Sequence, residues 1–209
     1  AEALGSTAVA AFVPYYYPGA NAYDEGQIVR HYAEVAASVR IPTFMYNNPR
    51  TSGYNLTPET LAKLVAVGVA GMKDSSASFA LLGEFNQAAA QVNPGFVCMC
   101  GSVAMLQPAF NIGIRGCIAG TANAFPELAV ALYRSLEARD WRRSRDLQNI
   151  VIAERKIQAA SGFRPAGCYT FLKLKGIDCG TVRRPWREPN EQEAEFMKKE
   201  AVKLGLLTL

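Results

Sequence analysis

Short apolar, β-compatible runs recur along this chain of 209 residues, and a segment with helical periodicity follows each of them. The runs lie at residues 8–13, 43–46, 69–73, 96–100 and 116–119. Their centres are about 20 to 34 residues apart, which is the span of one strand followed by one helix. Five such units in series predict a parallel sheet or a barrel, and therefore an α/β fold.

Helix starts and stops can be located between these runs. Apolar residues recur on one helical face from Asp24 to about Val39. Thr57 is a suitable N-cap, and Pro58 is a suitable first helical residue of the segment that extends to about Val67. Further helices are predicted at residues 79–90, 103–112 and 126–139, and residues 1–5 have the pattern of a last helical turn that ends at glycine.

The pattern changes after residue 140, where the strand-like runs stop. Asp140 can cap the first of the helices that follow. These helices are predicted at residues 141–161, from a Gly/Pro-containing break at 162–167 up to Gly176, and at 191–204. We therefore divide the chain into residues 1–140, which carry the five strand–helix units, and residues 141–209, a C-terminal helical extension.

Composition limits the classes of function. Half of the residues are apolar and the formal net charge is +4, which indicates a globular protein and excludes a disordered or nucleic-acid-coating one. Two arginine clusters, at 142–145 and 183–187, predict solvated surface or an oligomer contact. No apolar run approaches the roughly 20 residues that span a bilayer, and residues 1–5 lack the pattern of a signal peptide. We expect neither a nucleic acid nor a membrane partner.

The ligand-forming residues predict no cofactor. The five cysteines contain no Cys-x-x-Cys, and with the single histidine, His31, they provide no zinc-type set. Cys98 and Cys100 alternate with Met99 as small core hydrophobes would. Neither a dinucleotide fingerprint nor a phosphate-loop signature occurs. We expect reduced thiols, a cytoplasmic protein, and neither metal nor nucleotide cofactor.

Lys73 ends the apolar run that begins at Val69. In an α/β protein the carboxyl end of a strand is where chemistry is placed. Burial disfavours the charged ammonium, and a neutral amine at this position is a nucleophile that can form a Schiff base with a carbonyl compound. The alternative from this stretch alone is a lysine that ends a strand and reaches into water.

Three motifs support the first interpretation, and they occur in a fixed order. They are Pro14-Tyr15-Tyr16, Tyr46-Asn47-Asn48-Pro49 and Gly71-Met72-Lys73-Asp74-Ser75-Ser76. Together they resemble the dihydrodipicolinate synthase and N-acetylneuraminate lyase family of class I, Schiff-base lyases. The resemblance continues through the segment from Gly116 to Pro126 and covers most of the chain.

The resemblance implies a role for each of several residues. Lys73 would form the imine and Tyr46 would be the acid/base phenol, while Tyr16 would reach across a dimer interface into a neighbour's proton relay. The backbone near Ile118 would lie against the pyruvyl part of the substrate. Further substrate contacts are expected from Gly101, Ser102, Thr121 and Arg50. Tyr46, Lys73, Ser102 and Thr121 follow different predicted strands, whose ends share one rim in a parallel barrel.

The resemblance also implies the architecture. The family fold is a (β/α)8 TIM barrel, of which this chain carries roughly strands 4 to 8 plus C-terminal helices. The first three units, with the family's Thr-Thr pair, are expected to be missing from this chain. A homo-oligomer, dimer or tetramer, is implied, with a small 2-oxo acid as the substrate.

Two departures from the family pattern bear on the reaction. Arg50 follows Pro49 directly, one position earlier than the family's arginine, and Ser102-Val103 stands where an aspartate is common. These changes favour a compact 2-oxo acid or cyclic imine over a long sugar acid. We therefore expect a pyruvate-type Schiff-base lyase acting in aldol cleavage or condensation, dehydration or deamination. The alternatives are the biosynthetic dihydrodipicolinate synthase (4-hydroxy-tetrahydrodipicolinate synthase), and a non-catalytic barrel fragment or interaction protein.

Other residues near the motifs have simpler interpretations. Tyr15 and Tyr17 are expected to be packing or loop residues, and His31 an ordinary half-buried helical histidine. Asp74 is expected to cap the segment at Ser75-Ser76. Asn123, and as an alternative Thr121, would cap the helix that follows, and Gly120 would permit a close approach of the chain.

Overall fold

A computed structural model of the protein describes residues 1–16, 23–160 and 162–208. Their contacts divide the chain into two compact units, Ala1–Ile118 and Ala119–Leu209. Within the described residues, the strands all belong to the first unit and the second consists of helices and their connections. The division predicted after residue 140 is a different one and stays a prediction.

Five parallel strands form one sheet in the first unit and lie in the order in which they occur along the chain. They are β1 (Val9–Phe12), β2 (Thr43–Asn47), β3 (Val69–Asp74), β4 (Val97–Cys100) and β5 (Gly116–Cys117). Each strand falls within or close to one of the predicted runs, so the predicted α/β fold is confirmed. Strands joined by helical crossovers and paired in sequence order form part of a barrel wall.

Several helices of the first unit begin at capping side chains that the sequence supplies. They are α1 (Glu25–Ala37), α2 (Pro49–Ser52), α3 (Pro58–Ala66), α4 (Phe79–Val92) and α5 (Leu106–Asn111), with 3-10 turns at Glu2–Leu4 and Val103–Met105. The Asp24 carboxylate accepts the N–H of Gln27 at 2.8 Å, and the Gln27 side chain accepts the N–H of Asp24 at 2.9 Å. The Thr57 hydroxyl accepts the N–H of Thr60 at 3.2 Å, as predicted. The single turn α2 was not predicted from the sequence.

Alternation along the strands determines which face of the sheet is buried. On β2, Thr43, Met45 and Asn47 are buried whereas Phe44 and Tyr46 are half-buried. Packed on the buried face are large side chains less than 2 % exposed, among them Ile28, Tyr32, Leu61, Leu64, Leu82 and Phe85. The Tyr32 hydroxyl donates to the carbonyl of Ala11 at 2.9 Å, which satisfies a polar group inside this core.

The second unit is a group of packed helices. They are α6 (Thr121–Ala124), α7 (Pro126–Glu137), α8 (Trp141–Gln158), α9 (Arg164–Leu174) and α10 (Glu191–Lys203). The rings of Phe125 and Phe171 meet edge to face, with centroids 4.9 Å apart, in its core. The Asp140 carboxylate caps α8 by accepting the N–H of Arg143 at 3.0 Å, as predicted.

The break predicted at residues 162–167 is shorter than expected. Helix α9 already begins at Arg164, with Pro165 in its first turn, and Gly167 lies within it. A Cβ on Gly167 would be 2.1 Å from the carbonyl oxygen of Gln158, at the end of α8. Only glycine fits at residue 167, because α8 and α9 approach each other closely there. Gly167 therefore does not mark the end of a helix.

Candidate active site

Parallel pairing brings residues from distant parts of the chain into rows across the first unit. One row contains Tyr46 on β2, Lys73 on β3, Met99 on β4 and Gly116 on β5. The next row contains Asn47, Asp74, Cys100 and Cys117. Because side chains alternate between the faces of a strand, the first row lies on the less buried face and the second on the buried face.

Lys73 and Tyr46 are in contact on the less buried face. The Nζ of Lys73 lies 3.9 Å from the centroid of the Tyr46 ring. On the opposite side of β2 lies β1, and the ring of its residue Phe12 has its centroid 4.2 Å from that of the Tyr46 ring. Tyr46 is thus held between an aromatic ring and an ammonium group, at the carboxyl end of its strand. The structure brings together the two residues that the sequence assigned to imine formation and proton transfer.

The surroundings of Tyr46 change the acidity of its phenol. Burial alone would raise the pKa, but hydrogen bonding from Lys73 and Ser75, the charge of Lys73 and hydrogen bonding from Asn48 outweigh it. The net result is a pKa lowered from the ordinary value of 10.0. Hydrogen bonds to the ionised form have this effect because they stabilise the phenolate. A phenol with a lowered pKa releases its proton more readily, which makes it a better general acid.

Ser75 and Asn48 were not singled out in the sequence. Each lies two residues beyond a predicted site residue, Ser75 after Lys73 and Asn48 after Tyr46. Two residues is the period of a strand face, so this spacing was the available signal. The signal is weak because both residues lie just beyond the strands, where regular alternation ends.

Asp74 does not cap the helix that follows, contrary to the expectation. The cap of α4 is Ser78, whose hydroxyl accepts the N–H of Leu81 at 3.2 Å. The Asp74 carboxylate instead accepts the side-chain amide of Asn47 and the hydroxyl of Ser76, both at 2.7 Å. Asp74 and Asn47 are each only 2 % exposed, so this is a buried network between two strand ends.

The loop after β4 packs against the end of β3. The N–H of Gly101 donates to the carbonyl of Asp74 at 2.7 Å. A Cβ on Gly101 would lie 2.2 Å from the Ser75 hydroxyl oxygen, so only glycine fits here without movement. The hydroxyl of Ser102 accepts the N–H of Ala104 at 3.2 Å and caps the 3-10 turn that follows. Two of the predicted substrate-binding residues, Gly101 and Ser102, thus lie in this loop, and Gly101 lies against the strand that carries Lys73.

Ile118 follows β5 with its side chain 50 % exposed, and its N–H donates to the carbonyl of Cys100 at 3.0 Å. The neighbouring thiols of Cys100 and Cys117 are paired across β4 and β5 and hydrogen-bond to each other. All five cysteines of the chain are free thiols. Cys98 and Cys100 are buried, as expected for small core hydrophobes.

Two predicted site residues, Tyr16 and Arg50, lie on exposed segments of the first unit. Tyr16 follows β1 and is 81 % exposed. Arg50 lies on α2, directly after the Tyr46 segment, with an exposed side chain. Tyr15 is an exposed loop residue as expected, whereas Tyr17 lies outside the described residues. His31 is a half-buried residue of α1, as predicted, with its ring against that of Tyr32.

Thr121 lies in the second unit and is 1 % exposed. Its hydroxyl donates to Oε2 of Glu154 at 2.9 Å, whereas Oε1 of Glu154 and Nε2 of Gln158, one turn further along α8, are buried without a partner. Burial raises the pKa of Glu154, and the bond from Thr121 opposes that rise. Glu154 is a further buried ionisable residue that the sequence pattern did not indicate.

Three expectations about the segment before α7 were wrong. Asn123 does not cap α7: it lies inside α6, and its side-chain amide donates to the carbonyl of Gly120 at 3.2 Å. Thr121 does not cap α7 either, because the residue before Pro126 is Phe125. A Cβ on Gly120 would have no heavy atom of the described chain within 4 Å, so no close approach of the chain occurs there.

No group of three or more histidine, cysteine or acidic side chains is placed to hold a metal ion within residues 1–16, 23–160 and 162–208. In the same described part of the chain, no helix combines the length and the hydropathy that a membrane-crossing segment needs.

A sequence model of the dihydrodipicolinate synthetase family matches residues 1–204. The chain belongs to that family. The match confirms the resemblance drawn from the three motifs, and it extends over both compact units.

Members of the dihydrodipicolinate synthetase family with different names are similar to the chain. An uncharacterised DapA-like lyase of Halobacterium salinarum is 34 % identical over 210 residues, which are 99 % of this chain and 66 % of that protein. A 4-hydroxy-tetrahydrodipicolinate synthase of Methanopyrus kandleri is 29 % identical over 210 residues, 99 % of this chain and 67 % of that protein. The chain thus spans about two thirds of the length of these curated relatives.

A solved structure of the family has the same fold. It is that of YagE, a prophage protein from E. coli K12, in complex with pyruvate. The TM-score is 0.89 at 22 % identity, over 99 % of this chain and 69 % of that one. At this identity the likeness shows the fold: the five-stranded sheet and its helices are a partial TIM barrel with C-terminal helices, as predicted.

Proposed function

We propose that this chain carries the site of a lyase that forms a Schiff base between Lys73 and a pyruvate-type 2-oxo acid. The observation that carries the proposal is the contact of the Lys73 amino group with the Tyr46 ring, 3.9 Å from Nζ to the centroid, in a chain of the dihydrodipicolinate synthetase family. An amine beside a proton-exchanging phenol is the pair that imine formation requires.

In imine formation, Lys73 is the nucleophile and Tyr46 is the proton donor. The neutral amine of Lys73 attacks the ketone carbon while the C=O π pair moves to oxygen, and a proton passes from the attacking nitrogen to that oxygen, which becomes the hydroxyl of a carbinolamine. Tyr46 gives a proton to that hydroxyl, which leaves as water while the nitrogen lone pair forms the C=N bond. The protonated imine then accepts the electron pair of an adjacent bond as it breaks, or supplies an enamine when a bond is made. The phenol of Tyr46 recovers its proton in the return half of the cycle.

The remaining assignments rest on position in the fold. Gly101, Ser102 and Ile118 lie at strand ends of the unit that holds Lys73, which supports substrate contacts through backbone groups and one hydroxyl. Arg50 is exposed on the helical turn that follows β2, which supports a contact with an anionic substrate group. Thr121 is buried and bonded to Glu154, which favours a supporting role over a direct contact with substrate.

The oligomer and the location belong to the same proposal. Tyr16 is exposed at the end of β1, a position from which it would reach a second copy of the chain in a homo-oligomer, dimer or tetramer. Five free thiols fit a reducing, cytoplasmic setting.

We propose a short 2-oxo acid, or a hydroxylated or cyclic-imine relative, as the preferred substrate. The sequence Pro49-Arg50 and the pair Ser102-Val103 leave the distal part of the site without the family's usual arginine and acidic positions. The second candidate is 4-hydroxy-tetrahydrodipicolinate synthase, which the name of the Methanopyrus kandleri relative favours. A substrate panel compared by kcat/KM separates them, and efficient condensation of pyruvate with aspartate semialdehyde would select the synthase.

The decisive experiment is reductive trapping. The chain is incubated with pyruvate and borohydride, and the adduct is located by peptide mass spectrometry. We expect a reduced pyruvyl adduct on Lys73 in the wild type and none in Lys73→Arg, which keeps the charge but loses the nucleophilic amine. The matched control is Lys63→Arg, since Lys63 is exposed and ion-paired with Glu25. An adduct that persists in Lys73→Arg, or its absence from the wild type, would reject the proposal.

A further inference from the structure

Asn47, Asp74 and Ser76 form a buried hydrogen-bond network directly beside the proposed catalytic pair. Asn47 and Asp74 are register partners on β2 and β3, one residue beyond the register pair of Tyr46 and Lys73. Because successive side chains point to opposite faces, Asp74 cannot contact a molecule bound at Lys73 from its own face. Any effect of Asp74 on the proposed chemistry passes through the backbone.

The carboxylate of Asp74 uses both of its oxygens within this network. Oδ1 accepts the side-chain amide of Asn47 at 2.7 Å and the N–H of Ser76 at 3.2 Å, and Oδ2 accepts the Ser76 hydroxyl at 2.7 Å. Bonds to an ionised acceptor are shorter and stronger than neutral ones, and shielding from water increases their strength. The carboxylate therefore joins the end of β2 to the turn that leaves β3.

Backbone bonds extend the same junction. The N–H of Ser75 donates to the carbonyl of Asn47 at 2.8 Å, and the N–H of Gly101 donates to the carbonyl of Asp74 at 2.7 Å. Three successive strand ends, those of β2, β3 and β4, are thus held together around one residue. A Cβ on Gly101 would lie 2.6 Å from that carbonyl oxygen, so the packing leaves little room for Asp74 to move.

We propose that Asp74 is a positioning residue, which through Asn47 and Ser76 fixes the ends of β2 and β3 so that Lys73 stays against Tyr46. Lys73 directly precedes Asp74 and Ser75 directly follows it, while Tyr46 directly precedes Asn47. A rotation of the Asp74 segment would move the amine away from the phenol. The role of Asp74 in turnover rests on the proposed Schiff-base function, whereas its effect on the Lys73–Tyr46 contact does not.

The test uses two variants that each remove one bond to Asp74, Asn47→Leu and the milder Ser76→Ala. The control is Ser78→Ala, which removes a hydroxyl from the same loop that caps α4 but does not bond Asp74.

Two measurements are made on each variant at a temperature where it is folded. The first is the titration of Tyr46 by NMR of labelled tyrosine, which requires no activity. We expect its pKa to rise towards the ordinary value in Asn47→Leu and Ser76→Ala and to stay low in Ser78→Ala. The second is the rate of reductive trapping of pyruvate on Lys73, which we expect to fall on the order of 10- to 100-fold in the first two, the scale of a small misplacement of reacting groups.

The outcomes separate the two proposals. If the wild type fails to trap pyruvate, the proposed function is rejected while the Tyr46 titration still decides the role of Asp74. If Asn47→Leu and Ser76→Ala are less stable but keep the wild-type titration of Tyr46, Asp74 contributes to stability alone and the positioning role is wrong.

Discussion

The Nζ of Lys73 lies 3.9 Å from the centroid of the Tyr46 ring, although the two residues are 27 positions apart in the sequence. Their contact follows from the parallel register of β2 and β3, in which Tyr46 and Lys73 are direct partners. The amine and the phenol are placed by backbone hydrogen bonds of the sheet, so their geometry does not depend on a flexible loop. The contact places the amine and the phenol ring side by side on the less buried face of the sheet.

Removing the Tyr46 hydroxyl should reduce turnover far more than stability. Tyr46→Phe keeps the ring that packs on Phe12 and removes only the proton-exchanging group. We expect kcat to fall about 100-fold or more, the usual contribution of a general acid or base. The control is Tyr15→Phe, because Tyr15 is half-exposed in a loop. Near-normal turnover of folded Tyr46→Phe would assign Tyr46 to the wall of the site.

Ser75→Ala should move the alkaline limb of the pH–rate profile. The bond from Ser75 helps to lower the pKa of Tyr46, so its loss should raise that pKa. If the protonated phenol is the active form, activity is lost as pH rises through this pKa, and the loss should occur at higher pH in the variant than in the wild type. The profile of kcat against pH measures this, with Ser78→Ala for comparison. An unchanged alkaline limb would contradict the role of Ser75.

Gly101→Ala should be destabilising where Gly120→Ala is not. A Cβ at residue 101 would lie 2.2 Å from the Ser75 hydroxyl oxygen and 2.6 Å from the carbonyl oxygen of Asp74. Overpacking of this kind costs about 1 to 3 kcal/mol in the free energy of unfolding. At residue 120 the added methyl group meets open space, and φ is −61°, which alanine adopts freely. Equal denaturant midpoints for the two variants would show that the β4 loop adjusts without strain.

Glu154→Gln should change how stability depends on pH. Burial raises the pKa of Glu154 in the folded protein above its ordinary value of 4.5, so the folded state favours the protonated form. Its contribution is fully present below pH 4.5 and is lost as pH rises through the raised pKa.

Glutamine stays neutral at every pH, so the variant does not lose this contribution. As pH rises, the free energy of unfolding of the wild type should therefore fall relative to that of Glu154→Gln. Urea unfolding of both proteins across this range measures the difference. Parallel curves for the two proteins would mean that Glu154 titrates alike in the folded and unfolded states.

What the sequence determined by itself was local. Hydrophobic period and length located the five strands, and the caps at Thr57 and Asp140 were identified because a capping side chain bonds to a backbone N–H within three residues. The position of Lys73 at a strand end followed from the same kind of pattern. The order of the motifs predicted the family, which the family match confirms.

The tertiary structure decided which distant groups meet. Asp74 carries the residue type of a helix cap, but its register partner Asn47 provides a buried donor that the sequence does not indicate. Thr121 follows a predicted strand and was expected to contact the substrate at the rim of the barrel. Its hydroxyl is instead bonded to Glu154, 33 residues away. Gly167 looked like a helix break and instead lies where two helices approach closely. Such pairs depend on strand register and helix packing, which arise from the whole core, so no local pattern encodes them.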